Sequence, residues 1–347
     1  MEKNVRRRLG LTVLGALFAG LMAGGAARAA EELIVYTAVE PEELTGFAKA
    51  FEAKNPGIKI KWVRDSTGIM TAKLLAEGKN TQADIVWGLA ATSLLLLKDA
   101  GILEPYAPKG VEKLDKLFVD GSNPPSWVGQ RAWIASLCVN TAETTAKKLP
   151  IPKSWADLTK PVYKGHLVMP NPASSGTGYL DVSSWIQMWG EDKAWKFMDA
   201  LHENIGIYTH SGSKPCKMAG KAEFPIGVSF AYKGAQLKAK GAPVLTIAPS
   251  EGVGWELESF GLVKGAKNAA AARKLADWSV TRDTNVIYNE AYAVVAYPGV
   301  AKPVKHFPEN IGKKMIKNDF LWAAKNRKRI LAEWKKRYDS KSAPKKK

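Results

Sequence analysis

Three short turns rich in small hydroxyl residues have the composition of an anion site. They are Asp-Ser-Thr-Gly at residues 65–68, Ser-Ser-Gly-Thr-Gly at residues 174–178 and His-Ser-Gly-Ser at residues 210–213. Hydroxyls donate hydrogen bonds, glycine lets a ligand approach the backbone, and the N–H groups of a helix start favour negative charge. Three such turns facing one cleft predict a polar, largely uncharged cage for a phosphate-like group. The alternative is ordinary helix capping by residues such as Ser66, Thr67 or Ser175.

Signatures of enzymes are mostly absent. The sequence has no Gly-x-Ser-x-Gly elbow, no phosphate-binding P-loop and no His-Glu-x-x-His, and its four histidines lack metal-ligand spacing. We therefore expect a binding protein with no catalytic residue, no cofactor and no metal. A rival hypothesis from another class is a secreted phosphoesterase with Ser174 or Ser175 as nucleophile and His210 as its base.

Alternating strands and helices position these turns. Strands are predicted at residues 33–36, 58–63 and 83–87, with helices from Pro41 and over residues 69–77 between them. This β-α-β-α-β order predicts a doubly wound parallel sheet. Ligands bind beyond the carboxyl ends of such strands, which is where the turn at residues 65–68 falls.

A second α/β unit follows residue 138. Strands are predicted at residues 166–169, 207–213 and 224–232, the last followed by a loop, and a buried helix leads from the Ser-Ser-Gly-Thr-Gly run to Trp189. The chain then returns through strands at 255–263 and 293–296, with a helix at 269–280 between them and a last helix at 319–338. The prediction is an α/β fold of two lobes, each a mostly parallel sheet flanked by helices, with the ligand cleft at the hinge.

The N-terminus has the pattern of a cleavable export signal. Arg6, Arg7 and Arg8 precede a long uncharged stretch, and Ala27-Arg28-Ala29 supplies a cleavage site. We expect residues 1–29 to be removed, the mature protein to be periplasmic, and no later segment to span the membrane. The domain boundaries predicted are residues 30–137 plus about 250–300 for lobe 1, 138–249 for lobe 2, C-terminal helices at 303–338 packed across both lobes, and a basic tail at 339–347.

The formal net charge of +18 does not define the predicted site. Loss of residues 1–29 leaves a net charge of +14. The lysine-rich end after residue 334 contributes +6 of this charge, so the folded body carries about +8. The three turns contain almost no basic side chains, so anion specificity is expected to rest on hydroxyls and helix ends. Export argues against a nucleic-acid partner, and the three lysines at residues 345–347 are more typical of a solvated end than of a nucleic-acid-binding arm.

The chain contains two cysteines, Cys138 and Cys216. In an oxidising compartment the two can form one disulfide, and the alternative is a pair of buried free thiols. No Cys-x-x-Cys motif occurs, which argues against thiol redox catalysis.

The mature chain resembles the periplasmic solute-binding proteins of ABC importers, in the type II group that includes ferric-ion-binding proteins. The resemblance is carried by residues 63–68, 86–90, 171–178, 210–216 and 318–334, and it is strongest to members assigned to 2-aminoethylphosphonate. It implies a monomer that closes around a small ligand and delivers it to a permease in the inner membrane.

The resemblance also implies roles for individual residues. The ferric branch uses adjacent tyrosines, whereas this chain has Ser-Phe-Ala-Tyr at residues 229–232, which argues against iron. Glu40 stands where that branch has a histidine, and we expect its carboxylate to pair with the ligand ammonium. The phosphonate is expected to be held by the donors of the three turns, and Thr37 and Tyr232 to complete the wall; the donors are Ser66, Thr67, Ser175, Gly176 and Thr177, with Ser211 and Ser213 as secondary candidates. Another anion or a ferric complex is the alternative ligand.

Overall fold

The computed structural model describes residues 30–344. The predicted signal peptide at residues 1–29 and the last three lysines of the basic tail lie outside the described residues. Within residues 30–344, no helix has both the length and the apolar character needed to cross a membrane.

The first sheet is built largely from the N-terminal part of the chain. Its parallel core has β1 (Glu31–Thr37) between β2 (Ile58–Arg64) and β3 (Ile85–Ala90), and β10 (Trp255–Val263) pairs antiparallel with β3. The central strands β1 and β3 are largely or fully buried, as expected of a parallel sheet covered by helices, whereas the edge strand β2 is more exposed. The elements of this part are β1 (Glu31–Thr37), α1 (Pro41–Lys54), β2 (Ile58–Arg64), α2 (Thr67–Glu77), β3 (Ile85–Ala90), α3 (Ala91–Asp99) and β4 (Leu103–Glu104).

The second sheet has the same plan. Strands β8, β6 and β7 are parallel neighbours, and β5 pairs antiparallel with both β8 and β9. Its elements are β5 (Val128–Asn140), α4 (Thr141–Ala146), β6 (Leu167–Pro170), α5 (Gly176–Trp189), α6 (Glu191–Asn204), β7 (Ile205–Thr209), α7 (Lys214–Gly220), β8 (Ile226–Phe230), α8 (Ala231–Ala239) and β9 (Val244–Ile247).

Strand β5 belongs to both sheets. Its first half pairs with β10 in the first sheet, and residues from Ala135 onward pair with β8 and β9 in the second. The remaining elements are β10 (Trp255–Val263), α9 (Ala269–Ser279), α10 (Arg282–Asn289), α11 (Ile311–Lys314) and α12 (Phe320–Tyr338). The predicted α/β fold is confirmed, although antiparallel strands make each sheet mixed.

A large hydrophobic core accompanies each sheet. The first gathers side chains such as Phe51 and Trp87, and the second gathers side chains such as Trp155 and Trp185. Helix α12 contributes Ile330 and Trp334 to the second core and also packs against α3. We propose that the two sheets are the two lobes of the predicted cleft, and that β5 and β10 form the connection between them.

Two local predictions were wrong. Residues 293–296 form no strand, because only isolated pairing with β5 is made there, including a bridge between Val295 and Arg131, before Pro298 and Gly299 turn the chain. Helix α8, not a loop, follows β8 directly. Ser342 of the predicted tail bridges to Tyr208 at the edge of the second sheet.

Candidate functional site

A cavity of about 50 Å³ lies between the two sheets, at the carboxyl ends of β1, β2 and β3 and beside the start of α5. On a measure by which one water molecule needs about 10–15 Å³, this volume suits a small polar group. The lining residues are Ala38, Glu40, Arg64, Ser66, Thr67, Gly88, Trp133, Ser175, Gly176, Thr177, Ser211, Gly212, Phe230, Glu258 and Tyr292.

The structure brings seven of the ten predicted site residues to this cavity. They come from four segments that are far apart in the chain, and they are Glu40, Ser66, Thr67, Ser175, Gly176, Thr177 and Ser211. The three hydroxyl-rich turns therefore meet at one place, and the assignment of these residues to ligand binding stays a prediction.

Three predicted residues do not line the cavity. Thr37 is buried and its hydroxyl oxygen accepts a hydrogen bond from the Val39 N–H at 3.1 Å. Ser213 is buried at the start of α7. Tyr232 forms a layer behind the wall, because its ring stacks on Tyr292 at 4.9 Å.

The starts of α2 and α5 meet beside the cavity. Ser175 caps α5 by accepting a hydrogen bond from the Gly178 N–H at 3.2 Å, whereas the side chain of Ser66 makes no capping bond to α2. The Gly68 N–H donates to the Ser174 carbonyl at 3.0 Å, which joins the two starts directly. Ser175 therefore caps a helix and also lines the cavity, and its role in ligand binding stays a prediction.

Buried hydrogen bonds hold the turns of the second sheet in place. The Ser174 hydroxyl donates to the His210 carbonyl at 2.9 Å, and the Ser229 hydroxyl donates to the Gly212 carbonyl at 2.6 Å. A Cβ atom on Gly212 would lie 2.2 Å from the Thr177 hydroxyl oxygen, so only glycine permits this approach. The loops at residues 171–178 and 210–213 therefore form one unit.

Arg64 is a lining residue that the sequence prediction missed. Its Nε–H donates to the Val39 carbonyl at 3.1 Å, and its Nη2 lies 3.9 Å from the Glu40 carboxylate. This corrects the expectation that the site has almost no basic side chain. The signal was present, because Arg64 ends β2 and directly precedes the hydroxyl turn at residues 65–68.

Glu40 lines the cavity but is already surrounded by cations. Lys233 Nζ lies 3.2 Å and Lys217 Nζ lies 3.5 Å from its carboxylate, and Arg64 approaches from the third side. Lys233 also binds Glu42. Burial favours a higher pKa for Glu42, but the hydrogen bond from Lys233, a backbone hydrogen bond and the charges of Lys233 and Lys217 together lower the pKa to about 2.

The cavity is also lined by a second carboxylate, Glu258, which the sequence prediction missed. Arg131, buried in β5, donates from Nε to Glu258 at 2.6 Å and from Nη1 to Glu43 at 2.7 Å. Burial raises the pKa of Glu43 to about 7 and raises that of Glu258, although Arg131 opposes both shifts. The available signal was the pair of glutamates, Glu256 and Glu258, in the otherwise uncharged strand β10 (Trp255–Val263).

The geometry gives no support to the rival hydrolase. His210 Nε2 lies 2.7 Å from the Pro344 carbonyl, and the Ser174 hydroxyl donates to the backbone of His210 and not to its ring. Among residues 30–344, no group of three or more His, Cys, Asp or Glu side chains could hold a metal ion. The Tyr232 hydroxyl accepts a hydrogen bond from Gln236, and burial raises its pKa, which disfavours the phenolate that a ferric ion requires.

Cys138 and Cys216 are joined by a disulfide, with their Cα atoms 5.2 Å apart. Both residues are fully buried, and the bond connects β5 to α7. It therefore secures the helix that follows the turn at residues 210–213.

Comparison with known proteins identifies the family. The model of the bacterial extracellular solute-binding protein family matches residues 80–322. The chain is a bacterial extracellular solute-binding protein. This solute-binding protein is 30% identical over 337 residues to an uncharacterized protein of Haemophilus influenzae, covering 94% of this chain and 96% of the relative.

Two further relatives carry more informative names. The solute-binding protein is 25% identical over 280 residues to a probable ABC transporter periplasmic-binding protein of Sinorhizobium fredii, covering 77% of this chain and 74% of the relative. Among solved structures, it is similar to the periplasmic binding protein AfuA of Actinobacillus pleuropneumoniae with exogenous fructose-6-phosphate bound. That likeness has a TM-score of 0.83 at 28% identity, over 89% of this chain and 99% of AfuA.

Proposed function

We propose that this solute-binding protein is the periplasmic component of an ABC importer for 2-aminoethylphosphonate or a related organophosphonate. The ligand is held between the two sheets and delivered to a permease in the inner membrane, and the protein acts as a monomer without catalysis. The names of its relatives support the transport role, and the signal-like N-terminus supports export.

The single observation that carries the ligand class is the meeting of three hydroxyl-rich turns and Arg64 at one cavity. The Nε–H of Arg64 donates to the Val39 carbonyl, and the other guanidinium N–H groups of Arg64 can donate to a ligand oxygen. The hydroxyls of Ser66, Thr67 and Thr177 add neutral donors. A tetrahedral phosphonate or phosphate, with three acceptor oxygens, matches donors that converge from several directions.

A second candidate is a sugar phosphate, favoured by the AfuA structure that holds fructose-6-phosphate. Its phosphate would use the same donors. The cavity of about 50 Å³ favours the smaller organophosphonate.

The test is calorimetric titration of the purified protein with a panel of ligands. The panel holds 2-aminoethylphosphonate, methylphosphonate, inorganic phosphate, fructose-6-phosphate and ferric citrate. We expect the tightest binding for 2-aminoethylphosphonate, and a ligand at about 100 times its dissociation constant should add about 2.7 kcal/mol to the free energy of unfolding. Tighter binding of fructose-6-phosphate or ferric citrate would replace the proposed ligand with that one.

The Arg64→Gln variant tests the anion site directly. Loss of a charged hydrogen bond should weaken phosphonate binding by about tenfold to hundredfold. Arg273→Gln is the matched control, because Arg273 pairs with Glu104 at 2.7 Å on the surface and does not line the cavity. Equal phosphonate affinities of the two variants would show that Arg64 does not bind the phosphonate.

A further inference from the structure

The charges around the cavity are unequally distributed between its two sides. On one side, Arg64, Lys217 and Lys233 face two carboxylates, Glu40 and Glu42. This side carries one more cation than it has anions, and the starts of α2 and α5 add further positive potential. It is the side suited to an anionic group.

The other side has the opposite imbalance. Arg131 is shared by Glu43 and Glu258, so two carboxylates depend on one guanidinium. Among the described residues, no other Lys, Arg or His nitrogen lies within 4 Å of either carboxylate. Glu43 sits in the first turn of α1, where helix N–H groups favour negative charge, whereas Glu258 lies in a strand without that support.

Glu258 is also the member of this triad that the ligand can reach. It lines the cavity, while Glu43 does not, and its side chain is about one-tenth exposed. One carboxylate oxygen accepts from Arg131 at 2.6 Å and the other from the Tyr292 hydroxyl at 3.3 Å. A carboxylate oxygen accepts more than one hydrogen bond, so Glu258 can receive another donor.

The wall around Glu258 is largely aromatic. Trp133, Phe230 and Tyr292 line the cavity and are each less than one-tenth exposed. Arg131 lies 3.9 Å from the centre of the Tyr292 ring, which fixes the ring beside Glu258. Apolar surroundings strengthen an ion pair because water does not screen it.

We infer that Glu258, and not Glu40, receives the ammonium group of the ligand, so that the cavity selects zwitterions with an anionic head and a cationic end. This inference rests on the proposed function, since it concerns the same site. A ligand cation balances the two carboxylates that share Arg131, whereas at Glu40 it would meet three protein cations. Glu258 is therefore the specificity-determining residue for the amine.

The test compares 2-aminoethylphosphonate with ethylphosphonate, which lacks only the amine. Both are titrated calorimetrically into the same preparations of wild type, Glu258→Gln and Glu40→Gln. We expect wild type to prefer the amine by about tenfold to hundredfold, and Glu258→Gln to lose that preference while still binding ethylphosphonate. We expect Glu40→Gln to keep a preference for the amine.

The ratio of the two affinities separates this role from a structural one. Misfolded protein lowers the number of binding sites for both ligands equally and leaves the ratio of their affinities unchanged. The Glu258→Asp variant keeps the negative charge, so it should retain a preference for the amine. Loss of the preference in Glu40→Gln, or its persistence in Glu258→Gln, overturns the inference alone. If wild type binds neither compound, the proposed function fails and the inference fails with it.

Discussion

Glu256 is a carboxylate buried in strand β10, two residues before Glu258. One of its oxygens accepts a hydrogen bond from the Leu257 N–H at 2.8 Å and the other from the Thr92 N–H at 3.4 Å. Burial raises its pKa to about 7 against these two bonds. In the folded protein the group therefore binds a proton at pH values where the unfolded chain has released it.

This difference predicts a pH-dependent stability. Between pH 4.5 and about 7 the folded state holds a proton that the unfolded state has lost, so the free energy of unfolding falls as pH rises through that window. Glu256 should account for about 3 kcal/mol of this fall in the free energy of unfolding, and Glu256→Gln should remove that part of the pH dependence. Denaturant unfolding at pH 5 and pH 8 measures the effect.

The variant is compared with wild type at both pH values. Glu43, whose pKa is also raised to about 7, leaves some of the dependence in place. An unchanged difference between pH 5 and pH 8 in Glu256→Gln would show that Glu256 is ionised in the folded protein.

At the scale of elements, the site depends on how closely α2 and α5 approach. A Cβ atom on Gly68 would lie 2.1 Å from the Ala173 carbonyl oxygen and 2.8 Å from the Ser174 carbonyl carbon. These contacts are with backbone, which cannot rotate away. Gly68 is therefore needed for the contact between α2 and the loop at residues 171–178. The helix itself does not need it, because alanine is favoured over glycine within a helix.

Gly68→Ala should weaken ligand binding without destabilising the unliganded protein. The added methyl group keeps the two sheets apart in the closed arrangement, which should lower ligand affinity by about tenfold. The thermal midpoint without ligand should be unchanged or raised. Calorimetric titration and thermal unfolding measure the two effects.

Gly46→Ala is the matched control, because Gly46 is also helical and a Cβ atom there meets nothing within 4 Å. It should leave affinity unchanged. Wild-type affinity in Gly68→Ala would mean that the ligand does not require this approach of α2 and α5.

At the scale of the whole molecule, the end of the chain returns to the site. We call residues 339–344 the C-terminal strap. Its Ala343 N–H donates to the Tyr208 carbonyl at 2.8 Å, and Asn171 Nδ2 donates to the Ser342 hydroxyl at 2.9 Å. Pro344 contacts the His210 ring. The strap therefore binds the two loops of the second sheet that line the cavity.

Deletion of residues 339–347 should lower ligand affinity by about tenfold, because the loops at 171–178 and 210–213 lose shared hydrogen bonds of about 0.5–1.5 kcal/mol each. Deletion of residues 345–347 alone removes charge but keeps the strap, and it should bind ligand like wild type. Calorimetric titration of both truncations measures the difference. Equal affinities would show that the strap does not position the loops.

Prediction from sequence succeeded where structure is local. Strand β10 was predicted with its observed bounds, and β1, β2 and α2 within a few residues, because turn chemistry and hydrophobic periodicity act over short distances. Strand β5 was missed. Every one of its residues is buried, so it shows no alternation, and its pairing with two sheets depends on strands more than 80 residues away.

The sequence by itself determined the α/β class, the export-like N-terminus and the hydroxyl-rich turns at the ends of strands, because these follow from composition and from neighbouring residues. Only the tertiary structure decided which charges meet at the cavity. Arg64, Arg131, Lys233 and Glu258 come from four separate elements, and their pairing depends on which strands and helices the fold places side by side. Electrostatic interactions act through space, so the order of residues along the chain cannot assign a partner to each charge.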